Sequence, residues 1–511
     1  MNSPMALRLI LSLLWTAQRS QGFGFLIHHQ RADVSSSISS SSSFSSREKY
    51  HRYKSFDKRN VHVMHNSISM DENEFPSFSS KEEYLEYLDQ IGGLPKGFRC
   101  GDAQGTFVSV EAPKLGELPI KGTIIVVDKP TDNWAAVFTQ NKFPGSPIMV
   151  GRKRLAGGEP LQAIVINNKV SNVCSGGDGE ADSEMVCEAV ASALNLEGGA
   201  TSVLPSSTGV IGWRLPAKEL ANDIVPKAIT ALQEESAVSA ASSIMTTDRY
   251  PKLRSYEFSN GARIVGIAKG AGMIEPNMAT MLSYLMTDVE IEKKTLQSLL
   301  SEIVSESYNS ISVDGDESTS DTVAIISSNQ FSLETSDQME EFKVALAKIC
   351  KGLAADIVRN GEGTSHVMQV KICSYPGSDS NARKLGKQIV NSPLFKCAVS
   401  GNDPNIGRLA GAIGSFLGKL DEDVDVSSLT MKLGGKLIFS ESKFVLEGDV
   451  AEKELSDHMK NAGFGEHDEY PVHQRFVEIE VDFGSEGKGS AIVIGSDLTR
   501  EYVAVNADYR S

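Results

Sequence analysis

The chain has 511 residues, 40% apolar and 23% charged, with a formal net charge of −16. It is too long for one ordinary core and too mixed for a fibrous or disordered protein, so a soluble globular chain of more than one folding unit is expected. The acidic balance argues against nucleic-acid binding, and six cysteines with no CxxC pair argue against the usual zinc and redox frameworks.

The N-terminus stands apart from the rest. "MALRLILSLLWTA" is apolar but short and interrupted by Arg8, so it does not read as a membrane span. It is followed by "SSSISSSSSFSS" and the basic "REKYHRYKSFDKRN". A Ser-rich, Arg-bearing, acid-poor leader reads as an organelle address, mitochondrial or plastid, and residues 1–66 are set aside from the fold. The remainder carries about −22.

Strands are expected at "GTIIVVD" (122–128), "WAAVFTQN" (134–141) and "LQAIVIN" (161–167). Apolar residues at helical spacing follow in "SEMVCEAVASALNL" (183–196). "AKELANDIVPKAITAL" (217–232) reads as a helix interrupted near Pro226. The order then repeats: strand "TMLSYLMTDVEI", helix "KKTLQSLLSEIVSESY", strand "TVAIISS" and a long helical stretch over 336–360. The last third is strand-rich, with "TMKLGGKLIFS", "RFVEIEVDFG" and "GSAIVIGSDL". The mixture predicts an α/β or α+β class.

Common catalytic motifs are missing. Beyond residue 66 the histidines are His366, His458, His467 and His473; none lies in HExxH, and there is no G-x-S-x-G elbow. "GIAKGAGM" lacks the order of a phosphate loop. "DGDESTSD" (314–321) lacks the glycine and glutamate of a calcium loop.

What remains is a hydroxyl in "AKGAGMIEPNMATMLSYLMTD" (268–288). Thr280 sits where a Gly- and Pro-bearing turn meets an apolar run. A threonine works without histidine if it becomes a chain terminus, because its own α-amine, with a pKa near 7.7–8.0, then takes the hydroxyl proton. That requires the Ala279–Thr280 bond to break through attack of the hydroxyl on the preceding carbonyl. Gly270, Gly272 and Pro276 are the turn chemistry such an attack needs. On physics alone, Thr280 as a plain β-branched strand residue stays open.

The stretch resembles the self-cleavage signature of the ornithine acetyltransferases, the bifunctional glutamate N-acetyltransferases of arginine biosynthesis. "LPSSTGVIG" (204–212), "SIMTTDRYPK" (243–252), "SVDGDESTSDT" (312–322), "RNGEGTSH" (359–366), "NDPNIGRLAGAIG" (402–414) and "SDLTREYVAVNADYRS" (496–511) agree, from about Gly97 to the end. The resemblance implies an αββα layered fold of the self-processing acylases and a cut after Ala279, with an α chain ending there and a β chain over 280–511. Thr280 would be the nucleophile that carries acetyl from N-acetylornithine to glutamate. Thr208 and Gly209 would form the oxyanion hole. Substrate would be bound by Thr246 or Thr247, Lys269, Glu362, Asn506 and Ser511. It implies an α2β2 heterotetramer, no metal or organic cofactor, no nucleic acid or membrane partner, and acetyl-CoA as a co-substrate if the enzyme is bifunctional. Two departures stand out: Ser511 replaces the usual terminal Thr, and "NNKVSNVCSGGDG" (167–179) differs from the usual Asn-Ser-Gly-Asn-Ala-Asn-Ala-Cys-Thr-Gly. The competing readings are an aminopeptidase or amidase with the same cleavage logic but water as acceptor, and an uncleaved, non-catalytic scaffold.

Overall fold

The computed structural model describes residues 76–508 except 276–280, 421–423, 447, 466 and 485–486. The expected leader over 1–66, the Ala279–Thr280 bond and Ser511 therefore lie outside the described residues. The strands run, in chain order, β1 (Phe98–Val108), β2 (Glu117–Thr131), β3 (Trp134–Phe138), β4 (Leu161–Asn167), β5 (Val203–Ser207), β6 (Lys252–Glu257), β7 (Arg263–Lys269), β8 (Leu282–Glu290), β9 (Ile311–Ser312), β10 (Thr322–Ser332), β11 (Val367–Tyr375), β12 (Thr430–Leu433), β13 (Lys436–Ser440), β14 (Lys443–Phe444), β15 (Val477–Asp482) and β16 (Gly489–Ser496). The longer helices are α1 (Lys81–Ile91), α2 (Ser146–Gly157), α3 (Gly179–Leu194), α4 (Val225–Thr230), α5 (Lys293–Glu306), α6 (Ser336–Arg359), α7 (Asp379–Val390), α8 (Pro393–Ser400), α9 (Ile406–Leu417), α10 (Gly448–Asn461) and α11 (Arg500–Asp508).

Two sheets stack face to face. One has the order β1-β2-β4-β5, the other β3-β10-β8-β7-β6. Strand alternation sends every second side chain to opposite faces. Phe98, Ile125, Ile164 and Leu204 of the first sheet therefore meet Trp134, Val265, Tyr284, Met286 and Ile326 of the second in one dry layer. The outer face of the second sheet, with Ile264, Leu285, Val289 and Ile325, packs on Leu296, Leu300 and Ile303 of α5 and on Phe342, Leu346 and Leu353 of α6. The outer face of the first, with Ile124, Val126, Val165 and Val203, packs on Val186 and Val190 of α3 and on Val225 and Ala228 of α4. The result is the expected αββα layering.

β8 is buried on both faces, and this is why "LSYLM" shows no polar alternation. It lies in the middle of its sheet, antiparallel to β7 and parallel to β10. Strands from both sides of the 279/280 position thus interleave in one sheet.

Local signals account for the boundaries. Thr335 and Gln338 form a capping box that starts α6, one residue outside the apolar periodicity. The expected break near Pro226 is a widened turn rather than a stop: residues 220–224 adopt a π-type turn and α4 begins at once with Pro226 in its first turn. Proline has no N–H to give the turn before it, so the hydrogen-bond ladder is interrupted while the chain direction is kept.

The C-terminal third builds a further sheet, β14-β13-β12-β15-β11-β16-β9. Its core joins Met368, Val370, Ile479 and Val493 to Leu385 and Ile389 of α7, Phe395 of α8 and Leu409 of α9. The two-residue β9 pairs with β16. No described helix is long and apolar enough to cross a membrane.

Leu285 is fully buried between β8 and the helices. Leu285→Ala is expected to cost about 2–5 kcal/mol in chemical denaturation, whereas Val503→Ala, at 58% exposure, is expected to change stability by less than about 0.5 kcal/mol.

Candidate active site

The site is organised by the end of β7. Lys269, its last residue, pairs with Leu282, the first residue of β8, and Leu282 pairs on its other side with Thr322 of β10. Met281 is buried, and its carbonyl accepts from the Thr322 N–H at 3.1 Å. The described chain that adjoins Thr280 is therefore fixed between two strands.

Lys269 is 7% exposed, and its Nζ donates to Thr208 Oγ1 at 3.0 Å. Thr208 follows β5, and its own N–H donates to the Asn167 carbonyl at 3.0 Å. The next residue, Gly209, has φ 127°, and a Cβ there would stand 2.2 Å from the Lys169 carbonyl carbon. Only glycine fits, so the backbone turns sharply at this point. Among the described residues nothing accepts the Gly209 N–H. One hydroxyl and one backbone N–H are thus the donors this corner offers to an incoming oxygen.

A second cluster gathers residues far apart in sequence. Glu362 Oε1 accepts from Thr247 Oγ1 at 2.7 Å, and Glu362 Oε2 accepts from Asn506 Nδ2 at 2.9 Å. The Glu362 N–H donates to the Ala271 carbonyl at 3.0 Å, which ties this carboxylate to the turn after Lys269. A Cβ on Gly272 would collide with Glu362 Oε2 at 2.4 Å, so glycine is what admits the carboxylate. Of the two adjacent threonines, Thr247 carries the side-chain contact. Thr246 is exposed and gives its backbone N–H to Asp248 Oδ2 at 3.0 Å. The turn over 269–272 therefore has a cation at one end and an anion at the other.

Two carboxylates beside these groups escaped the sequence reading. Asp248 is buried, and its Oδ1 accepts from Lys252 Nζ and from the Gly270 N–H at 2.7 Å. Burial opposes its ionisation, but Lys252, Lys269 and the Gly270 N–H outweigh it and hold this carboxyl well below the usual carboxylate range. Asp248 thus pairs with Lys252, lies in the field of Lys269 and pins the start of the turn. Asp321 is 4% exposed, and its Oδ2 has no partner among the described residues. Burial pushes its carboxyl well up, against the pull of Lys269. The sequence signal for both is faint: a lone Asp just after a threonine pair and a lone Asp just before a strand.

A Ser–His–Asp group does assemble, at Ser365, His366 and Asp497. Its geometry is not that of a relay. Ser365 Oγ and Asp497 Oδ2 both face His366 Nδ1, at 3.0 and 2.9 Å, and the serine also donates to the same Asp oxygen at 2.6 Å. A relay needs the serine on one ring nitrogen and the carboxylate on the other. Here Nε2 faces Asn402 Oδ1 at 3.2 Å. The group is a buried pin that fastens the 362–366 loop to the segment leading into α11. Among the described residues no three His, Cys, Asp or Glu side chains are grouped to hold a metal ion.

The chain matches the model of the ArgJ family over residues 117–511. It is 34% identical over 419 residues to the arginine biosynthesis bifunctional protein ArgJ 2 of Clostridium acetobutylicum, spanning 81% of this chain and 98% of that one. It is 36% identical over 428 residues to the glutamate N-acetyltransferase of Methanocaldococcus jannaschii, spanning 82% and 98%. Among solved structures, ArgJ of Bacillus halodurans is 33% identical, with a TM-score of 0.39, covering 45% of this chain and 100% of that one. The ornithine acetyltransferase of Mycobacterium tuberculosis complexed with ornithine is 32% identical, with a TM-score of 0.32, covering 36% and 95%. With a family model spanning most of its length and relatives matched almost end to end, this chain belongs to the ArgJ family and is an acyltransferase.

Proposed function

We propose that this acyltransferase moves the acetyl group of N-acetylornithine to glutamate through an acetyl ester on Thr280, after cutting itself between Ala279 and Thr280. The carrying observation is the hydrogen bond from Lys269 to Thr208 at the strand end that pairs with Leu282, two residues after Thr280.

In the cutting step Thr280 Oγ adds to the Ala279 carbonyl carbon. The C–N bond breaks, the hydroxyl proton ends on the freed amine, and water then hydrolyses the ester. In transfer, the α-amine of Thr280 takes the hydroxyl proton while Oγ attacks the acetyl carbonyl, and ornithine leaves as the amine. Glutamate's amine then attacks the ester and restores the hydroxyl. Each tetrahedral intermediate carries an oxyanion, to which the Thr208 hydroxyl and the Gly209 N–H donate; one such donor is typically worth about 3–4 kcal/mol. The substrate α-carboxylate pairs with Lys269 and the ornithine ammonium with Glu362, held in place by Thr247 and Asn506. Ser511 is the further substrate contact that the family resemblance implies.

Because strands from both sides of 279/280 share a sheet, the two pieces stay together after cutting. They pair further as an α2β2 assembly. Acetyl-CoA serves as a second donor, in keeping with the bifunctional naming of the Clostridium relative. Residues 1–66 direct the chain to an organelle matrix, mitochondrial or plastid, on the strength of their composition.

Fragment masses of the purified chain should include a piece beginning at Thr280, and Thr280→Ala should leave the chain in one piece with no transfer. Glutamate should speed ornithine release and emerge acetylated; acetate without transfer would point to an amidase instead. Thr208→Ala should lower kcat by about 100- to 1,000-fold. Glu362→Gln should raise KM for N-acetylornithine by about 10- to 100-fold. Since the working base is an α-amine, kcat/KM should rise with pH and level off above about 8.

A further inference from the structure

The stretch just before the described chain breaks off is held with unusual thoroughness. The Met273 N–H donates to Asp314 Oδ2 at 2.7 Å and the Ile274 N–H to Asp314 Oδ1 at 2.8 Å, so one carboxylate spans two consecutive amides. The Glu275 N–H donates to the Asp316 carbonyl at 3.0 Å, and the Ile274 carbonyl accepts from the Val313 N–H at 2.6 Å. The Glu275 side chain is anchored as well. Ser312 Oγ donates to its Oε2 at 3.0 Å, Asn391 Nδ2 donates to the same oxygen, and Lys387 Nζ stands 3.9 Å from Oε1. Ile274 is fully buried, and Met273 takes φ 58°, a left-handed conformation that methionine does not adopt without support.

All of these partners lie after Thr280 in sequence. The chain is therefore gripped up to Glu275 by the downstream part of the molecule, and gripped again at Met281, whose carbonyl accepts from the Thr322 N–H. Five residues link the two fixed points. An intramolecular attack gains most of its rate from ends that are already placed, because the search for a reactive geometry is done before the reaction begins.

We propose that Asp314, with Glu275 as a second anchor, is a positioning residue for self-cleavage: its paired hydrogen bonds to Met273 and Ile274 fix the chain upstream of Ala279–Thr280 so that the threonine hydroxyl can reach the preceding carbonyl. The inference rests on the self-cleavage reading above. The clamp promotes ester formation, in which the hydroxyl oxygen bonds to the Ala279 carbonyl carbon, the amide C–N bond breaks and the proton passes to the new amine. It takes no part in hydrolysis of that ester. Asp314→Asn is nearly isosteric, but it turns one of the two acceptors into a donor facing an N–H.

The test is a time course of full-length chain made in a cell-free translation reaction, read on a denaturing gel. For Asp314→Asn the fragments are expected to form at least roughly tenfold more slowly than for the wild type, with an unchanged thermal midpoint. Glu275→Gln is expected to slow them severalfold, and it decides the matter if Asp314→Asn does not fold. Hydroxylamine opens an ester but not an amide, and is expected not to restore the rate. Cutting of both variants within about twofold of wild type overturns the assignment, and so does full restoration by hydroxylamine, which would place the defect after ester formation. A wild-type chain that stays uncut overturns the cleavage reading itself and the clamp with it.

Discussion

The pairing of β7 with β8 is the constraint on which the rest of the molecule depends. It sets Lys269 opposite Leu282 in a sheet buried on both faces, so neither strand can slip without moving every side chain in two cores. The register is therefore rigid, and the excursion of twelve residues between Lys269 and Leu282 starts and ends at fixed strand positions. Thr208, Asp248 and Glu362 are tied to it at Lys269, Gly270 and Ala271.

Electrostatics shape the excursion. Two buried lysines, Lys252 and Lys269, would be costly in a dry interior. Asp248 pairs with the first, attracts the second through space and at the same time accepts the Gly270 N–H that begins the turn. Glu362 supplies the opposite charge from a different part of the chain, and glycine at 272 makes room for it. The layers bury Lys252, Lys269 and Asp248, whereas Glu362 stays part-exposed.

Much of the layered architecture was legible from local patterns. The strands at β2, β4, β8 and β10 and the helices α3, α5 and α6 follow from apolar periodicity and capping, because each element buries a face whose spacing matches its own repeat. Boundaries moved where local rules compete with pairing. The stretch 134–141 stops as a strand at Phe138, since β10 offers partners only from Trp134 to Phe138. The C-terminal strands β12, β13, β15 and β16 were also legible as apolar runs, but their order in a separate sheet was not, and β9, two residues long, is a strand only because β16 lies beside it.

The sequence by itself determined a hydroxyl at 280 behind a glycine-bearing turn and motifs long enough to name a family; Lys269 and Glu362 stood out only through that resemblance. It could not say that Thr247 rather than Thr246 meets Glu362, that Asp248 pairs with Lys252 in the field of Lys269, or that Asp314 holds the chain ahead of the turn. Those partners are separated by 115, 4 and 21, and about 40 positions respectively. Local periodicity reports only which face of an element is buried. Which distant groups meet across that face is decided by strand order and register, and these exist only once the sheets have closed on each other.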